Sequence, residues 1–312
     1  GGTTVGVYCL DDREFSASPL LGLPRTGPVR ARFLLESLAE LRRSLQQLGS
    51  ELIIRRGEPA QIHGALAREH DWERLDFHQL VGTEERDDED RVRSALEGQG
   101  LRVESHWDRT LHDSYPFPQE ELPEVFTAFR KAVEKKADIA APLGAPASLR
   151  GPDQIDAGEL PAMKSLGVED IEPDPRAVLV FRGGESAALE RLRSFVWNGS
   201  LSTYKTTRNG LIGADYSSKL SPWLALGCVS CRTIQAEVQA FEAEQGANDS
   251  TYWMTFELLW RDYFQLILQK HGATVFQPGG LQRFPIRWKH DPDAFEAWRL
   301  GRTGYPFVDG SM

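Results

Sequence analysis

The sequence has few cysteines and no long apolar segment. Three cysteines among 312 residues argue against a disulfide framework and favour a reducing, intracellular compartment. No run of apolar residues is long enough to cross a membrane, so we expect no membrane partner. The sequence also shows no secretory or transit segment and no initiator methionine. We therefore expect an intracellular protein, and the cytoplasm, the nucleus, the chloroplast and the mitochondrion all stay open.

Net positive charge is also missing. The formal net charge of −10 means that the surface as a whole does not attract nucleic acid, so any site for a polyanion must be local. Residues 201–235 are such an exception, because four basic side chains there face a single acidic one, Asp215. The basic residues are Lys205, Arg208, Lys219 and Arg232. A GxGxxG motif is absent after the first predicted strand, so a Rossmann-type dinucleotide site is not supported.

Residues 3–108 alternate between strand-like and helix-like patterns. The predicted strands are Thr4–Cys9, Glu51–Ile54, Leu75–Leu80 and Leu101–Ser105. The predicted helices are Pro28–Leu48, Pro59–Arg68 and Glu84–Leu96. Strands that alternate with helices in this way predict an α/β domain with a doubly wound parallel sheet.

The sequence pattern changes after residue 110. Prolines interrupt residues 110–182, where one helix, Val125–Lys136, is predicted, and helical patterns rich in aromatic residues follow from residue 183. We therefore predict an α/β domain at residues 1–115, an interdomain connector at 116–182 and an all-α domain at 183–312. Hydrophobic residues make up 40% of the chain, with eight Trp and fifteen Phe, which is ample for a buried core.

A short run of hydroxyl and amine side chains stands out in the predicted helical domain. Its members are Ser217, Ser218, Lys219, Leu220 and Ser221. Hydroxyls, free backbone N–H groups and a lysine ammonium before a helix can together hold a phosphate. The alternative is an ordinary helix start, with a serine as N-cap and proline as the first helical residue. Both interpretations stay open at this point.

A second feature of that domain is an aromatic helix predicted over Ser250–Lys270. Glu257, Trp260 and Arg261 are spaced i, i+3 and i+4, so they share one face of the helix. One interpretation is a core helix that carries a Glu–Arg pair of small energetic value. The other is a cavity wall, where an indole stacks on a planar heterocycle and a carboxylate bonds its edge.

Four segments of the chain resemble the photolyase/cryptochrome family, and within it the cryptochrome DASH group. They occur in the family's order and spacing: Tyr204–Gly210, Tyr216–Ala225, Glu257–Phe264 and Gly304–Asp309. The resemblance implies an N-terminal Rossmann-like antenna domain and a C-terminal helical FAD-binding domain. It also implies a fragment, because the family's first strand and the C-terminal part of its FAD domain have no counterpart here.

The resemblance further implies two cofactors, FAD and a 5,10-methenyltetrahydrofolate antenna. Tyr204 and the run from Ser217 through Ser218, Lys219 and Leu220 to Ser221 would hold the FAD pyrophosphate and ribityl chain. Arg261 would face the flavin, and the folate would lie near Glu121 or Glu124. Trp288 resembles the solvent-end member of the tryptophan chain through which the flavin is photoreduced.

The substrate that the resemblance implies is DNA. Glu257 and Trp260 would line a pocket for a flipped pyrimidine dimer, and Lys205 and Arg208 would contact the DNA backbone. The expected activity is that of a deoxyribodipyrimidine photo-lyase, namely light-driven repair of cyclobutane dimers, preferentially in single-stranded DNA. The alternatives are a blue-light photoreceptor without significant repair, and a nucleic-acid-binding module that uses no light. The sequence does not show whether the protein has protein partners.

Cys228 and Cys231 form an isolated CxxC motif. Such a motif can be a redox pair or half of a zinc site. The sequence has no second cysteine pair to complete a zinc site. We therefore expect the two cysteines to pack as small hydrophobic residues, and we predict no metal centre.

Overall fold

The structure is a computed structural model that describes residues 2–18, 22–210 and 213–312. It contains two compact units, Gly1–Lys270 and His271–Met312. The boundaries at residues 115 and 182 stay a prediction. Within the described ranges, no helix combines the length and the apolar character that crossing a membrane requires.

Four parallel strands lie in the first unit. They are β1 (Gly6–Leu10), β2 (Leu52–Arg56), β3 (Arg74–His78) and β4 (Arg102–His106). The ladder between β1 and β2 starts at Gly6 and Leu52, and the ladder between β3 and β4 starts at Arg74 and Arg102. The predicted strands and their parallel pairing are confirmed. In the described part of the chain the strands form two separate two-stranded sheets.

Four helices accompany these strands. They are α1 (Asp12–Phe15), α2 (Pro28–Gln47), α3 (Pro59–His70) and α4 (Thr83–Glu97). Both α2 and α3 begin at a proline, whose fixed φ and missing N–H suit the first turn of a helix. Helix α4 packs Val92 and Leu96 against Val103 of β4. The predicted alternation of strands and helices is therefore confirmed.

The rest of the chain is helical. The first unit contains α5 (Phe126–Lys136), α6 (Glu185–Trp197), α7 (Ser200–Thr207), α8 (Ser221–Leu226), α9 (Cys231–Gln245) and α10 (Asp249–His271, its last residue beyond the unit). The second unit contains α11 (Pro292–Arg299) and α12 (Pro306–Asp309). Short 3₁₀ turns lie at Gln119–Glu121, Met163–Leu166 and Gly272–Phe276. The described residues beyond 182 contain no strand, so the all-α prediction is confirmed.

The largest apolar core of the first unit lies among its later helices. It joins Phe129 of α5, Phe195 of α6, Ile234 of α9 and Leu258 of α10, and all four are buried. Helix α10 starts where predicted, because the Asn248 side-chain oxygen accepts hydrogen bonds from the first N–H groups of the helix. This core fixes the mutual positions of the helices that carry the candidate site.

A buried carboxylate ties residues 111–115, which follow β4, to α10. Asp262 has no exposed surface, and it accepts hydrogen bonds from the Leu111 amide at 2.8 Å and the Tyr115 hydroxyl at 3.1 Å. Arg232 of α9 donates to the nearby Thr110 carbonyl at 2.8 Å. Burial raises the pKa of Asp262 to about 7, although the Leu111 amide and the Arg261 guanidinium lower it in part.

We expect the contribution of Asp262 to the stability of the protein to fall as pH rises from about 4 to about 7. In that window the folded protein keeps the proton on Asp262, whereas the unfolded chain has lost it, so the folded state binds more protons. Asp262→Asn should remove this pH dependence and retain the acceptor for the Leu111 amide. Urea unfolding at a series of pH values measures the effect. Equal slopes of unfolding free energy against pH in both proteins would contradict the assignment.

Candidate cofactor and nucleic-acid site

The serine-rich run lies in the loop that precedes α8. Ser221 is the first residue of α8, and its N-cap is Leu220, which makes no side-chain capping bond. The alternative interpretation, in which a serine caps the helix, is therefore wrong. Lys219 adopts a left-handed conformation with φ of 54°, an unusual conformation for a residue with a side chain, found mostly in turns and at functional sites.

A buried arginine of α6 organises this loop. Arg191 is 8% exposed. Its guanidinium donates to three backbone carbonyls, those of Ala214 at 2.9 Å, Ser217 at 3.1 Å and Ser218 at 2.9 Å. It also bonds the Asp215 carboxylate at 2.7 Å. The loop carbonyls therefore point toward Arg191.

This arrangement leaves the loop's donors available. Within the described ranges, the backbone N–H groups of residues 215–219 have no acceptor. The ammonium of Lys219 lies 3.4 Å from the Ser217 hydroxyl, and Ser218 and Ser221 add hydroxyls close by. Free N–H groups, hydroxyls and one ammonium on a loop whose carbonyls are already bound are a donor set that fits a diphosphate.

Arg191 is a site residue that the sequence analysis missed. It lies on the face of α6 that also carries the buried residues Ala188, Leu192 and Phe195. An arginine at a core-facing helix position needs buried acceptors. The position of Arg191 on the apolar face of α6 could therefore have predicted a buried arginine. Nothing in the sequence identified its acceptors as the loop carbonyls.

Helix α7 borders the loop on its other side. The Thr207 hydroxyl donates to the Tyr216 carbonyl at 3.0 Å. The Tyr216 ring lies so close to Gly210 that a Cβ there would be 2.2 Å from a ring carbon. A side chain at position 210 would therefore require the Tyr216 ring to move. Leu211 and Ile212, inside the basic segment, lie outside the described residues.

Tyr204 occupies the inner face of α7. Its ring is buried and packs edge-on against Phe195, with centroids 5.7 Å apart. Burial, and next the charge of Glu257, raise the pKa of Tyr204 to about 12. The phenol is therefore neutral at physiological pH, and Tyr204 lies within electrostatic range of the α10 carboxylate. Its predicted role toward FAD stays a prediction.

Arg208 and Glu257 meet between α7 and α10. Their Nη1 and Oε1 atoms are 2.5 Å apart, with 28% and 31% of the respective side chains exposed. The core-helix interpretation paired Glu257 with Arg261 on the same helix face, and that part of it is wrong, because Glu257 pairs with Arg208. The pairing with Arg208 instead joins two residues that the sequence analysis had assigned to DNA.

Trp253 completes this surface and was not singled out from the sequence. The Lys205 ammonium lies 5.1 Å and the Arg208 guanidinium 5.6 Å from the centroids of its rings. Both distances are typical of cation–π contacts. Lys205 also pairs with Asp249 at 2.7 Å. We call Lys205, Arg208, Trp253 and Glu257 the cationic platform.

Trp260 and Arg261 have other partners. The Trp260 ring stacks on Phe126 of α5 with centroids 3.5 Å apart, so one face of the indole is covered. Arg261 donates to the Arg109 carbonyl at 2.6 Å and lies 3.8 Å from Asp262. Their predicted roles toward a base and a flavin stay predictions.

The two glutamates predicted for the antenna lie near an open cleft. Glu121 ends a 3₁₀ turn and is exposed, and Glu124 pairs with Lys270 at 2.7 Å. The cleft has a volume of about 210 Å³. Its lining includes Trp107, Tyr115, Phe117, Gln119 and Leu122.

Trp288 belongs to the second compact unit. Its indole is 69% exposed, and its N–H donates to the Pro278 carbonyl at 3.2 Å. A solvent-facing indole agrees with an outer position in an electron path, although the path itself stays a prediction.

The two CxxC cysteines have separate packing contacts. Both thiols are free; Cys231 lies 3.5 Å from the Arg109 carbonyl and Cys228 lies 3.5 Å from the Ser37 hydroxyl. Burial raises the pKa of Cys231 to about 11, so this thiol is neutral at pH 7. These contacts agree with packing as small hydrophobic residues.

One group of metal-ligand-type side chains lies elsewhere in the described residues. It consists of Asp76, Glu104 and His106 on β3 and β4. Arg74 pairs with the Asp76 carboxylate at 2.6 Å, and Arg102 pairs with Glu104. Neither cysteine of the CxxC motif belongs to this group.

Comparison with known proteins places the chain in a family. Residues 1–147 match the family described as DNA photolyase, and residues 253–312 match the FAD binding domain of DNA photolyase. The chain is 50% identical over 311 residues to a cryptochrome DASH of Gloeobacter violaceus, an alignment that covers 99% of this chain and 62% of that protein. The chain belongs to the photolyase/cryptochrome family, as its motifs predicted.

Solved structures agree with this assignment. The cryptochrome of Synechocystis sp. superposes with a TM-score of 0.94 at 41% identity, over 99% of this chain and 65% of that one. A bacterial class III photolyase from Agrobacterium tumefaciens gives 0.80 at 25% identity, over 99% and 62%. The fold is therefore an N-terminal α/β domain of the photolyase type followed by helices of an FAD-binding domain. The chain spans less than two thirds of the length of these relatives.

We expect Arg191→Met to reduce FAD retention in the full-length protein by roughly tenfold or more, because a hydrogen-bonded buried charge typically contributes 1.5–3 kcal/mol. The loop carbonyls would lose their donor, and the loop would no longer present its N–H groups together. The measurement is flavin absorbance per protein after gel filtration.

Arg193→Met is the matched control, because Arg193 is exposed on the same helix and should retain wild-type flavin. Equal flavin content in the Arg191 and Arg193 variants would rule out the organising role of Arg191.

Proposed function

We propose that this chain belongs to a light-driven, FAD-dependent enzyme that repairs cyclobutane pyrimidine dimers, preferentially in single-stranded DNA. The observation that carries the proposal is the position of α7. At the end of α7, the Thr207 hydroxyl bonds the serine-rich loop at the Tyr216 carbonyl. The next residue, Arg208, pairs with Glu257 of α10. One short helix therefore joins a site suited to a cofactor diphosphate and a site suited to a nucleic-acid strand.

The residues that would hold FAD are those of the loop and of α7. The N–H groups and hydroxyls of Ser217, Ser218 and Ser221 would bond the diphosphate, with the Lys219 ammonium beside them. Tyr204 would pack beside the ribityl chain as a neutral phenol. FAD bound there would supply the absorption of light and the one-electron chemistry that splits the dimer.

The cationic platform would receive the damaged strand. Lys205 and Arg208 would contact phosphates, which positions a strand independently of its sequence. The Glu257 carboxylate would accept a hydrogen bond from the edge of a flipped base, and Trp253 offers an aromatic face for stacking. A dimer in a single strand needs little unstacking to leave it, which favours single-stranded substrates.

The antenna would occupy the cleft near Glu121 and Glu124. Its walls include the aromatic rings of Trp107, Tyr115 and Phe117, which suit the planar ring system of methenyltetrahydrofolate. Side-chain amides such as that of Gln119 could bond the edge of the ring.

The alternative is a blue-light photoreceptor that binds the same flavin and repairs no DNA. The stack of Phe126 on Trp260 favours it, because a base can use that face of Trp260 only after Phe126 moves. The Arg208–Glu257 pair beside Lys205 favours repair. It places side chains suited to a strand phosphate next to a carboxylate suited to a base, and a receptor that repairs no DNA needs neither.

We expect Trp288→Phe to slow light-driven flavin reduction by roughly tenfold or more without loss of bound FAD, because phenylalanine keeps an aromatic ring but is far harder to oxidise. Flavin absorbance under blue light with an external reductant gives the rate. Trp298→Phe is the matched control, since Trp298 is also exposed in the second unit. If both variants reduce flavin at the wild-type rate, Trp288 is an ordinary surface residue.

We expect Glu257→Gln to lower the repair yield per absorbed photon by roughly three- to tenfold, because a charged hydrogen-bond acceptor becomes a neutral one. The flavin spectrum should not change. The assay counts thymine dimers removed from single-stranded and duplex oligonucleotides under blue light.

The matched control is Glu244→Gln, an exposed carboxylate on α9, which should repair like wild type. A wild-type protein that binds FAD and repairs no dimers in light would overturn the repair proposal and favour the photoreceptor.

A further inference from the structure

We infer that Arg208 controls access to Glu257, and that a strand phosphate releases Glu257 by taking Arg208 from it. This inference rests on the proposed function, because it assigns a strand to the cationic platform. It predicts that phosphate binding and dimer binding reinforce each other through an exchange of ion-pair partners.

The contact between the two residues is a single one. Arg208 donates to Glu257 through Nη1 alone, at 2.5 Å, and reaches one carboxylate oxygen, Oε1. Within the described part of the chain, its other guanidinium N–H groups have no acceptor. A phosphate can therefore bind the free edge of Arg208 before the bond to Glu257 breaks, so the exchange needs no unpaired intermediate.

Charge and exposure favour the exchange. Arg208 and Glu257 are 28% and 31% exposed, so solvent and ligands reach both. Lys205 shares the Trp253 ring with Arg208, and its own partner Asp249 is 83% exposed. A strand would thus meet two cations, each held by a partly solvated carboxylate, which phosphate oxygens can replace.

The exchange changes the ion pairing and the orientation of the Glu257 carboxylate. While Arg208 holds it, the carboxylate is neutralised and its orientation is fixed toward α7. After the exchange, the carboxylate is free to bond a base and to stabilise charge that develops there. Because binding free energies are reciprocal, a phosphate that favours the dimer must itself be favoured by it.

The first test uses a ligand without phosphate, the cyclobutane dimer of the free thymine bases. In the FAD-loaded full-length protein, Arg208→Met should bind this dimer roughly two- to fivefold more tightly than wild type, because removing the ion pair frees Glu257. An Arg208 that serves only as a phosphate contact would leave this affinity unchanged.

The control for the first test is Arg176→Met. It removes the same charge from an exposed Arg–Asp pair with an N–O distance of 2.6 Å in the predicted connector. This variant should bind the phosphate-free dimer like wild type. A gain in both variants would assign the effect to net charge and overturn the exchange.

The second test needs no lesion. Glu257→Gln should bind undamaged oligothymidine roughly two- to fivefold more tightly than wild type at low salt, because Arg208 no longer has to leave an ion pair. Unchanged or weaker binding would overturn the exchange.

The two tests separate this inference from the proposed function. If wild type binds no dimer and repairs none, the proposed function fails, and the undamaged-strand measurement alone decides the exchange. If wild type repairs dimers and neither variant gains affinity, repair stands and the exchange fails.

Discussion

The candidate site depends on one buried guanidinium. Arg191 turns the carbonyls of Ala214, Ser217 and Ser218 toward α6. The N–H of each of these trans peptide units points away from its C=O, and therefore away from Arg191. The donors of the loop are therefore left for an anion. Burial makes the arrangement obligatory, because an arginine that is 8% exposed is costly unless its N–H groups are bonded.

A few side-chain contacts of α7 join the loop to the cationic platform. Helix α7 carries Thr207 against the loop and Arg208 against α10, and its Lys205 backbone is bonded to Ser250 at the start of α10. A displacement of α7 would alter both sites together. Asp262 secures the other side of α10 by binding Leu111 and Tyr115. The aromatic helix therefore has a buried polar anchor on one face and the cationic platform on another.

The elements of the fold follow from sequence because their signals are local. Proline at the first turn of α2 and the alternating apolar pattern of β3 are visible without tertiary information. Long motifs likewise identified the family. Pairings between distant residues were not accessible from the sequence. One interpretation of the helical spacing paired Glu257 with Arg261, whereas the tertiary fold pairs it with Arg208. Arg191 was overlooked because its acceptors are backbone carbonyls, which a sequence pattern does not display.

The most direct test of this account is a crystal structure of the full-length protein with FAD and a single-stranded oligonucleotide that contains a thymine dimer. We predict the FAD diphosphate on the N–H groups of residues 215–219, Arg208 on a strand phosphate, and Glu257 within hydrogen-bonding distance of the dimer. A diphosphate bound away from this loop would contradict the account. So would a bound dimer that lies apart from an intact Arg208–Glu257 pair.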